Sequence, residues 1–238
     1  MIGKAYVKKA VLLMIVLGLF YAGITSVFGV MGAGIDVGQS SRANLSGGAP
    51  QSTAVQAGNV TEMNISGQTI TDHWAGFFGE ISGNITLENS DGDVFYDWTG
   101  LTSVAGEVFA SNDSGVNWAG IGCASVAEVL ALETFLGIVP SDPDRINQTY
   151  TSTSHPAFNV SGTQLSGCNS TNAYVNSGPS ATAFYQILLT DTEGDPVFTT
   201  LINDTTTGFD GNTHDFQLLV AEPDSVGTTP LYFYVELD

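Results

Sequence analysis

The stretch that decides the fold is AFYQILLT at residues 183–190, joined through DTEGD at 191–195 to PVFTTLI at 196–202. Both runs are short, apolar and rich in aromatic or β-branched residues, which fit a pleated, half-buried surface. The Asp and Gly residues between them favour a tight turn. The pattern predicts a β-hairpin, and similar runs follow at residues 215–221 (DFQLLVA) and 230–237 (PLYFYVEL).

Two further pairs of runs lie upstream. The turn NSDGD at 89–93 separates ITLE from VFYDW, and the turn NDSG at 112–115 separates GEVFAS from VNWAGI. Each segment again predicts a hairpin. We therefore expect residues 59–238 to form one mainly β domain, a β-sandwich or jelly-roll-like fold of about eight to ten strands.

One segment of this domain has a different pattern. Residues 123–136 read CASVAEVLALETFL, in which apolar residues alternate with Ala and Glu, and Gly137 follows as a helix-ending residue. This predicts a single inserted α-helix. Pro140 and Pro143 then begin a polar stretch, which we expect to be loop as far as about residue 172.

The N-terminal region predicts a membrane segment. Residues 10–31 read AVLLMIVLGLFYAGITSVFGVM and contain no charged residue. About 20 apolar residues cross a bilayer core as a helix. We expect a transmembrane helix or, alternatively, a secretory signal segment with small residues for cleavage at 30–34. The basic head, residues 1–9, indicates a cytoplasmic start through Lys4, Lys8 and Lys9.

Residues 32–58 are rich in Gly, Ser, Ala and Gln, which predicts a flexible linker between the membrane and the domain. The orientation places the protein in the cell membrane through residues 10–31, with its C-terminal domain extracellular. Self-association and contact with other envelope components are the partners that such a location suggests.

The charge of the outer region excludes some partners. All 24 acidic residues follow residue 35, where the basic residues are only Arg42 and Arg145, which leaves 22 net negative charges. Such a field repels nucleic acid and anionic lipid headgroups. We therefore expect no nucleic-acid partner for the folded domain.

Two modifications agree with an extracellular location. Nine of the 14 asparagines begin an Asn-x-Ser/Thr acceptor sequence for glycosylation: Asn44, Asn59, Asn64, Asn84, Asn112, Asn147, Asn159, Asn169 and Asn203. The only two cysteines, Cys123 and Cys168, predict one disulfide in an exported chain. Two buried free thiols are the alternative.

Carboxylates at alternate positions of tight turns suggest calcium, which prefers oxygen ligands. The candidate ligands are Asp91, Asp93, Asp191, Asp195, Asp210 and Asp215. Turns exposed to solvent are the alternative interpretation, because turns select Asp and Gly everywhere. No other cofactor is expected.

No catalytic motif is present in the sequence. His73, His155 and His214 accompany neither a Gly-x-Ser-x-Gly elbow nor a His-Glu-x-x-His zinc motif. We therefore expect a protein that is not an enzyme, although a pair of carboxylates brought together only by the fold stays open.

Six aromatic residues concentrate in the first part of the domain: Trp74, Phe77, Phe78, Tyr96, Trp98 and Trp118. Because they fall within strand runs, we expect them to pack in the core. An aromatic platform that binds sugars is the alternative interpretation.

Residues 208–217 read GFDGNTHDFQ. Together with the closing YFYVEL, this segment resembles the Gly-Phe-Asp-Gly-x-Thr-x-Asp-Phe-Gln segment of uncharacterised archaeal exported and cell-surface proteins. The resemblance extends from about Trp74 to the C-terminus and implies a surface location without a known activity. Within it we expect Phe209 and Phe216 in the core and Asp210 capping a turn; the alternative is a metal site formed by Asp210, His214 and Asp215.

A second resemblance concerns the N-terminus. Lys8-Lys9-Ala10 before the apolar run is similar to the processing site of archaeal type IV pilin precursors. In that family the apolar helix packs into the core of a filament. Small residues in the run, Gly18, Ala22, Gly29 and Ala33, have a spacing that allows helices to approach closely.

The sequence thus gives three functional hypotheses in order of preference. The first is a non-enzymatic, glycosylated cell-surface protein, tethered by its N-terminal helix and serving the envelope or adhesion. The second is a pilin-like filament subunit that polymerises through residues 11–31. The third is an exported hydrolase.

Overall fold

The computed structural model describes residues 33–34, 57, 70–83, 85–98, 104–223 and 229–237. The basic head, the apolar segment and most of the predicted linker lie outside this set. Two residues of that linker, Ala33–Gly34, form a strand. Among the described residues, the helices are all too short or too polar to traverse a lipid bilayer.

The described strands are β1 (Ala33–Gly34), β2 (Trp74–Gly79), β3 (Ile85–Glu88), β4 (Val94–Trp98), β5 (Gly106–Ser111), β6 (Gly122–Cys123), β7 (Phe158–Val160), β8 (Thr163–Leu165), β9 (Ser170–Asn172), β10 (Tyr185–Thr190), β11 (Pro196–Leu201), β12 (Thr206–Thr207), β13 (Thr213–His214), β14 (Phe216–Ala221) and β15 (Tyr232–Leu237). The helices are α1 (Val126–Leu136) and α2 (Ile146–Thr149), with a 3₁₀ turn at Trp118–Gly120.

The main sheet is antiparallel and runs in the order β1-β15-β5-β11-β10-β6, with β9 also paired to β10. The predicted hairpin at residues 183–202 is the β10–β11 pair, in which Leu188 lies opposite Phe198. It occupies the interior of the sheet. Strand β5 continues the sheet beyond β11, and β15 continues it beyond β5.

Both faces of the main sheet are covered. Strands β5, β10 and β11 are buried along almost their whole length. Their side chains alternate between two separate cores, so that Val108 and Leu188 enter one core while Phe109 and Ile187 enter the other. This explains why these strands read as continuous apolar runs rather than as alternating ones.

The first core lies under the β2–β14 pair and the two helices. Phe77 of β2, Val220 of β14, Val129 of α1 and Ile146 of α2 all contact it. The fully buried Gln186 of β10 joins this layer to the main sheet through its side-chain amide.

The second core lies under the β7–β8 hairpin and the 3₁₀ turn. Trp118, Phe158 and Val160 pack there against the sheet. The disulfide between Cys123 and Cys168 joins β6 to the loop that precedes β9, so the predicted bridge is confirmed.

Helix α1 has the expected end signals. Ser125 caps its N-terminus in a capping box with Glu128, whose pKa is lowered mainly by the hydrogen bond from the Ser125 side chain. Gly137 ends the helix in the left-handed conformation with a φ of 77°. This backbone conformation is unfavourable for residues that have a side chain. The helix begins at Val126 rather than at Cys123, because the first residues of the predicted segment pair with β10.

The mainly β class and the inserted helix are confirmed, and three details were predicted wrongly. Residues 116–121 contain the 3₁₀ turn Trp118–Gly120 and no strand. The polar stretch that was expected to be loop contains α2, β7, β8 and β9. In the described part of residues 59–238 there are fourteen strands instead of the expected eight to ten, because six of them have only two or three residues.

Candidate functional site

A polar cleft of about 520 Å³ opens between the end of β2, the loop after β11 and strand β13. Its volume lies within the range of small-molecule sites. The charged side chains of its lining are all carboxylates, and three further residues contribute hydroxyl groups; the lining residues are Glu80, Ile81, Ser82, Asp204, Thr205, Thr213 and Asp215.

Asp215 holds the walls of this cleft together. Its side chain is 7% exposed; Oδ2 accepts a hydrogen bond from the Ile81 amide at 2.7 Å, and Oδ1 accepts one from the Thr205 amide at 2.9 Å. Its own amide donates to the Gly79 carbonyl at 2.9 Å, and its carbonyl accepts from the Asn203 amide at 2.8 Å. Asp215 is therefore a structural clamp, whereas Glu80 and Asp204 line the cleft closer to solvent.

Three rings lie on the outer side of β2 and form what we call the aromatic cluster: Phe78, Phe209 and His214. The Phe78 ring centroid is 4.8 Å from that of His214 and 5.0 Å from that of Phe209, and the Phe209 and His214 rings stack at 6.2 Å. His214 is buried, whereas Phe78 is 51% and Phe209 is 40% exposed. Two apolar rings thus face solvent above a buried imidazole.

The aromatic cluster and the cleft are formed by adjoining residues. Phe78 lies two positions before the cleft residue Glu80, and both are exposed. His214 lies directly between the cleft residues Thr213 and Asp215. The exposed rings therefore border the cleft.

Asp210 adds a carboxylate to the aromatic cluster. Its Oδ1 lies 3.0 Å from His214 Nε2 and accepts the Asn212 amide at 3.0 Å. The pKa of Asp210 falls to about 2, chiefly through the side-chain hydrogen bond from Asn212, with smaller contributions from the Asn212 amide and His214. The exposed carboxylate therefore carries its charge at all ordinary pH values.

The loop that carries these groups is closely supported. A Cβ at Gly208 would lie 2.4 Å from His214 Cδ2, so only glycine allows the imidazole to pack there. The Gln217 side chain accepts the Phe209 amide at 2.9 Å and donates to the Tyr174 carbonyl at 3.1 Å. These contacts give a structural reason for the composition of residues 208–217.

Expectations for this segment are met in part. Asp210 caps a turn, as predicted. Phe216 is half-buried against the first core, also as predicted. The prediction that Phe209 enters the core is wrong, because Phe209 lies at the tip between β12 and β13 and stacks on the outer surface.

The β3–β4 hairpin exposes a second apolar surface. Leu87, Tyr96 and Trp98 are each at least half exposed, and the Tyr96 and Trp98 rings are 4.9 Å apart. Leu87 lies opposite Tyr96, so these side chains share one side, which we call the hairpin face. The opposite side carries Thr86, Glu88 and Asp97.

The prediction that all six aromatic residues pack in the core is therefore only partly correct. Trp118 is buried, and Trp74 and Phe77 are partly buried against the first core. For Phe78, Tyr96 and Trp98 the prediction is wrong, because these side chains are 51–57% exposed. Strand periodicity identifies an apolar side but does not say whether another element covers it.

The predicted metal ligands lie in three separate places: Asp91 and Asp93 in the β3–β4 turn, Asp191 and Asp195 in the β10–β11 turn, and Asp210 and Asp215 in the segment 208–217. Asn89 Oδ1 accepts the amides of Asp91 and Asp93 in the β3–β4 turn. Within the described residues, no three His, Cys, Asp or Glu side chains are grouped so that they could hold a metal ion. Asp210 and Asp215 serve the turn and the clamp described above.

The β10–β11 turn holds the other pair. Burial raises the pKa of Asp191, but hydrogen bonds from the amides of Asn117, Asp195, Glu193 and Gly194 outweigh it and leave that pKa lowered. Burial raises the pKa of Asp195, and the negative charges of its carboxylate neighbours raise it further. Asp191 thus caps this turn.

Five of the nine glycosylation acceptors lie in described segments. Asn159 on β7 is exposed, whereas Asn112, Asn147, Asn169 and Asn203 are half-buried. Asn169 Nδ2 donates to the Ala124 carbonyl at 3.2 Å. The remaining predicted acceptors, Asn44, Asn59, Asn64 and Asn84, are outside the described residues.

No protein-family model matches the chain. A search of the curated proteins finds no match. A search of the solved structures also finds none.

Proposed function

We propose that this chain is a glycosylated cell-surface protein, tethered through residues 10–31, which binds neutral carbohydrate in the polar cleft and acts in adhesion rather than catalysis. The observation that carries the proposal is a cleft whose carboxylates and hydroxyl groups stand beside exposed aromatic rings. Carboxylates accept two hydroxyl hydrogen bonds at once, and aromatic rings pack on the apolar face of a sugar.

The charge of the domain selects the class of sugar. Glu80, Asp204 and Asp215 give the cleft three carboxylates and no basic side chain. An anionic sugar would be repelled, because like charges at short range are costly in a partly enclosed site. Neutral hexoses or oligosaccharides fit this arrangement. Calcium stays a separate proposal for the turn carboxylates Asp91, Asp93, Asp191 and Asp195.

Glycan binding tests the proposal. Full-length protein in nanodiscs would be screened against neutral and anionic oligosaccharides, and hits measured by calorimetry. Asp204→Asn should weaken binding about tenfold, the effect of losing a hydrogen bond to a charged group. Asp72→Asn, at an exposed carboxylate outside the cleft lining, is the matched control. Absence of binding to every neutral glycan would refute the proposal.

The same experiment addresses the hydrolase hypothesis. A chain that binds oligosaccharide without catalysis returns it intact after long incubation. Release of shorter sugars, lost in Glu80→Gln or Asp204→Asn, would instead favour the exported hydrolase.

The hairpin face supports a second candidate, the self-assembling filament subunit. A two-stranded hairpin is only marginally stable in water, so an apolar side of this kind gains from a partner. Sedimentation of the full-length protein would show assemblies that Trp98→Glu reduces. Phe135→Glu, at a helix residue that is 73% exposed, controls for an added charge.

For the fold we propose the finer description of a β-sandwich with one inserted helix. It is supported by the β2–β14 pair, which packs on the main sheet near β11 and β5.

A further inference from the structure

We propose that the aromatic cluster is a second subsite, so that the ligand of the cleft is an oligosaccharide whose neighbouring sugar stacks on Phe78 and Phe209. This inference rests on the proposed carbohydrate function. It concerns the length of the ligand and gives a role to the segment at residues 208–217.

The first support is the exposure of the two rings. Phe78 and Phe209 are 51% and 40% exposed although each has a ring neighbour at 5.0 Å. Their T-shaped arrangement leaves part of the apolar surface of both rings exposed to solvent on the outer side of β2. A sugar that packs on such rings removes apolar surface from water.

The second support is that the rings are held in place before any ligand arrives. His214 lies under both rings, and its Nε2 lies 3.0 Å from Asp210 Oδ1. Gln217 fixes the Phe209 backbone. A preorganised aromatic group loses little conformational freedom on binding, which favours affinity.

The third support is the combination of groups. The Asp210 carboxylate is exposed beside the rings. In the proposed complex it accepts hydrogen bonds from the hydroxyl groups of the stacked sugar. Glu80 of the cleft follows Phe78 by two residues, and the cleft residues Thr213 and Asp215 flank His214, so one ligand reaches both subsites. The carboxylates at both ends exclude anionic sugars.

Calorimetry with a series of neutral oligosaccharides of increasing length tests the inference. The full-length protein should bind the chain that fills both subsites about 3- to 10-fold more tightly than the monosaccharide, a gain expected for one aromatic stacking contact. Phe209→Ala should remove this gain and leave monosaccharide affinity unchanged. Phe209→Tyr should restore it.

Two controls keep the outcomes distinct. Phe135→Ala removes an exposed phenylalanine from α1 and should leave the length dependence intact. Trp98→Ala removes an exposed tryptophan from the hairpin face and should also leave the length dependence intact. Monosaccharide binding without a gain in longer chains, or a gain lost in Trp98→Ala and kept in Phe209→Ala, would overturn the second subsite. Failure of all neutral sugars to bind would instead refute the proposed function itself.

Discussion

Gln186 offers the sharpest test of how the layers of this domain are joined. Its side chain is fully buried; Nε2 donates to the Gln217 carbonyl at 2.6 Å, and Oε1 accepts the Leu219 amide at 2.7 Å. One edge of β14 pairs with β2. The Gln186 amide serves the other edge as a neighbouring strand would, and the Tyr150 hydroxyl donates to the Leu219 carbonyl at 3.3 Å.

Replacing this residue by leucine preserves its approximate size and removes both of its side-chain hydrogen bonds to β14. Two buried main-chain groups of β14 lose their partners, at a cost of about 1–3 kcal/mol each. Full burial of a leucine side chain returns about 1.5–3 kcal/mol. From the midpoints of these ranges, we expect Gln186→Leu to lower the free energy of unfolding by roughly 2 kcal/mol.

Urea denaturation followed by tryptophan fluorescence measures this change, and hydrogen exchange reports the Leu219 amide directly. Gln164→Leu is the matched control, because Gln164 is an exposed glutamine on strand β8. A loss below about 1 kcal/mol in Gln186→Leu, or no faster exchange at Leu219, would mean that packing rather than this amide joins the layers.

Four further outcomes follow from the structure. Replacing Cys123 and Cys168 by alanine should cost about 4 kcal/mol in the chain-entropy description of a loop of 45 residues, measured as a lower melting temperature that a reductant does not change further. Asp195→Asn should stabilise the domain by a few tenths of a kcal/mol near pH 7. A folded-state pKa that is raised contributes stability at low pH that is lost as the pH rises through it, so this gain should vanish near pH 3, as melting curves at both pH values would show. Peptide mass spectrometry of protein from a glycosylating host should find a glycan on the exposed Asn159 and none on Asn169, whose amide nitrogen is engaged; the reverse pattern would contradict this. If the turn carboxylates hold calcium, a chelator should lower the melting temperature; an unchanged midpoint counts against the ion.

Much of the main sheet could be predicted from the sequence because its strands carry strong local signals. The apolar runs around residues 191–195 and the Asp and Gly between them correspond to β10 and β11 almost residue for residue. The disulfide was predicted from an even number of cysteines in a chain that was expected to be exported. These signals are local, and the structure preserves them.

The wrong predictions concern which apolar strand surfaces are covered by other elements of the fold. Residues 158–165 contain only a few apolar side chains, yet Phe158, Val160 and Leu165 suffice for a short hairpin because the main sheet offers them a core. The aromatic residues of the β3–β4 hairpin have a strand pattern of the same quality, and they remain exposed. Whether such a hairpin is buried or exposed depends on its tertiary contacts, and the periodicity of the sequence does not specify those contacts.

The cleft was the feature that was hardest to predict from the sequence. Its lining residues come from residues 80–82 and from two segments, 204–205 and 213–215, that lie more than a hundred positions further along the chain. The segment at residues 208–217 did stand out by composition, but its metal interpretation and its core interpretation both missed the pairing of Phe209 with Phe78.

The bridge between Cys123 and Cys168 has a consequence for survival outside a cell. Proteases that cut after lysine or arginine find a single such residue beyond position 42, namely Arg145, and it lies inside the span that the bridge closes. A cut there would leave both fragments covalently attached, with β10 and β11 on one fragment and β5 on the other still hydrogen-bonded to each other. Digestion with trypsin should therefore leave the part of the chain after Arg42 as one disulfide-linked species, which separates into two fragments only when a reductant is added.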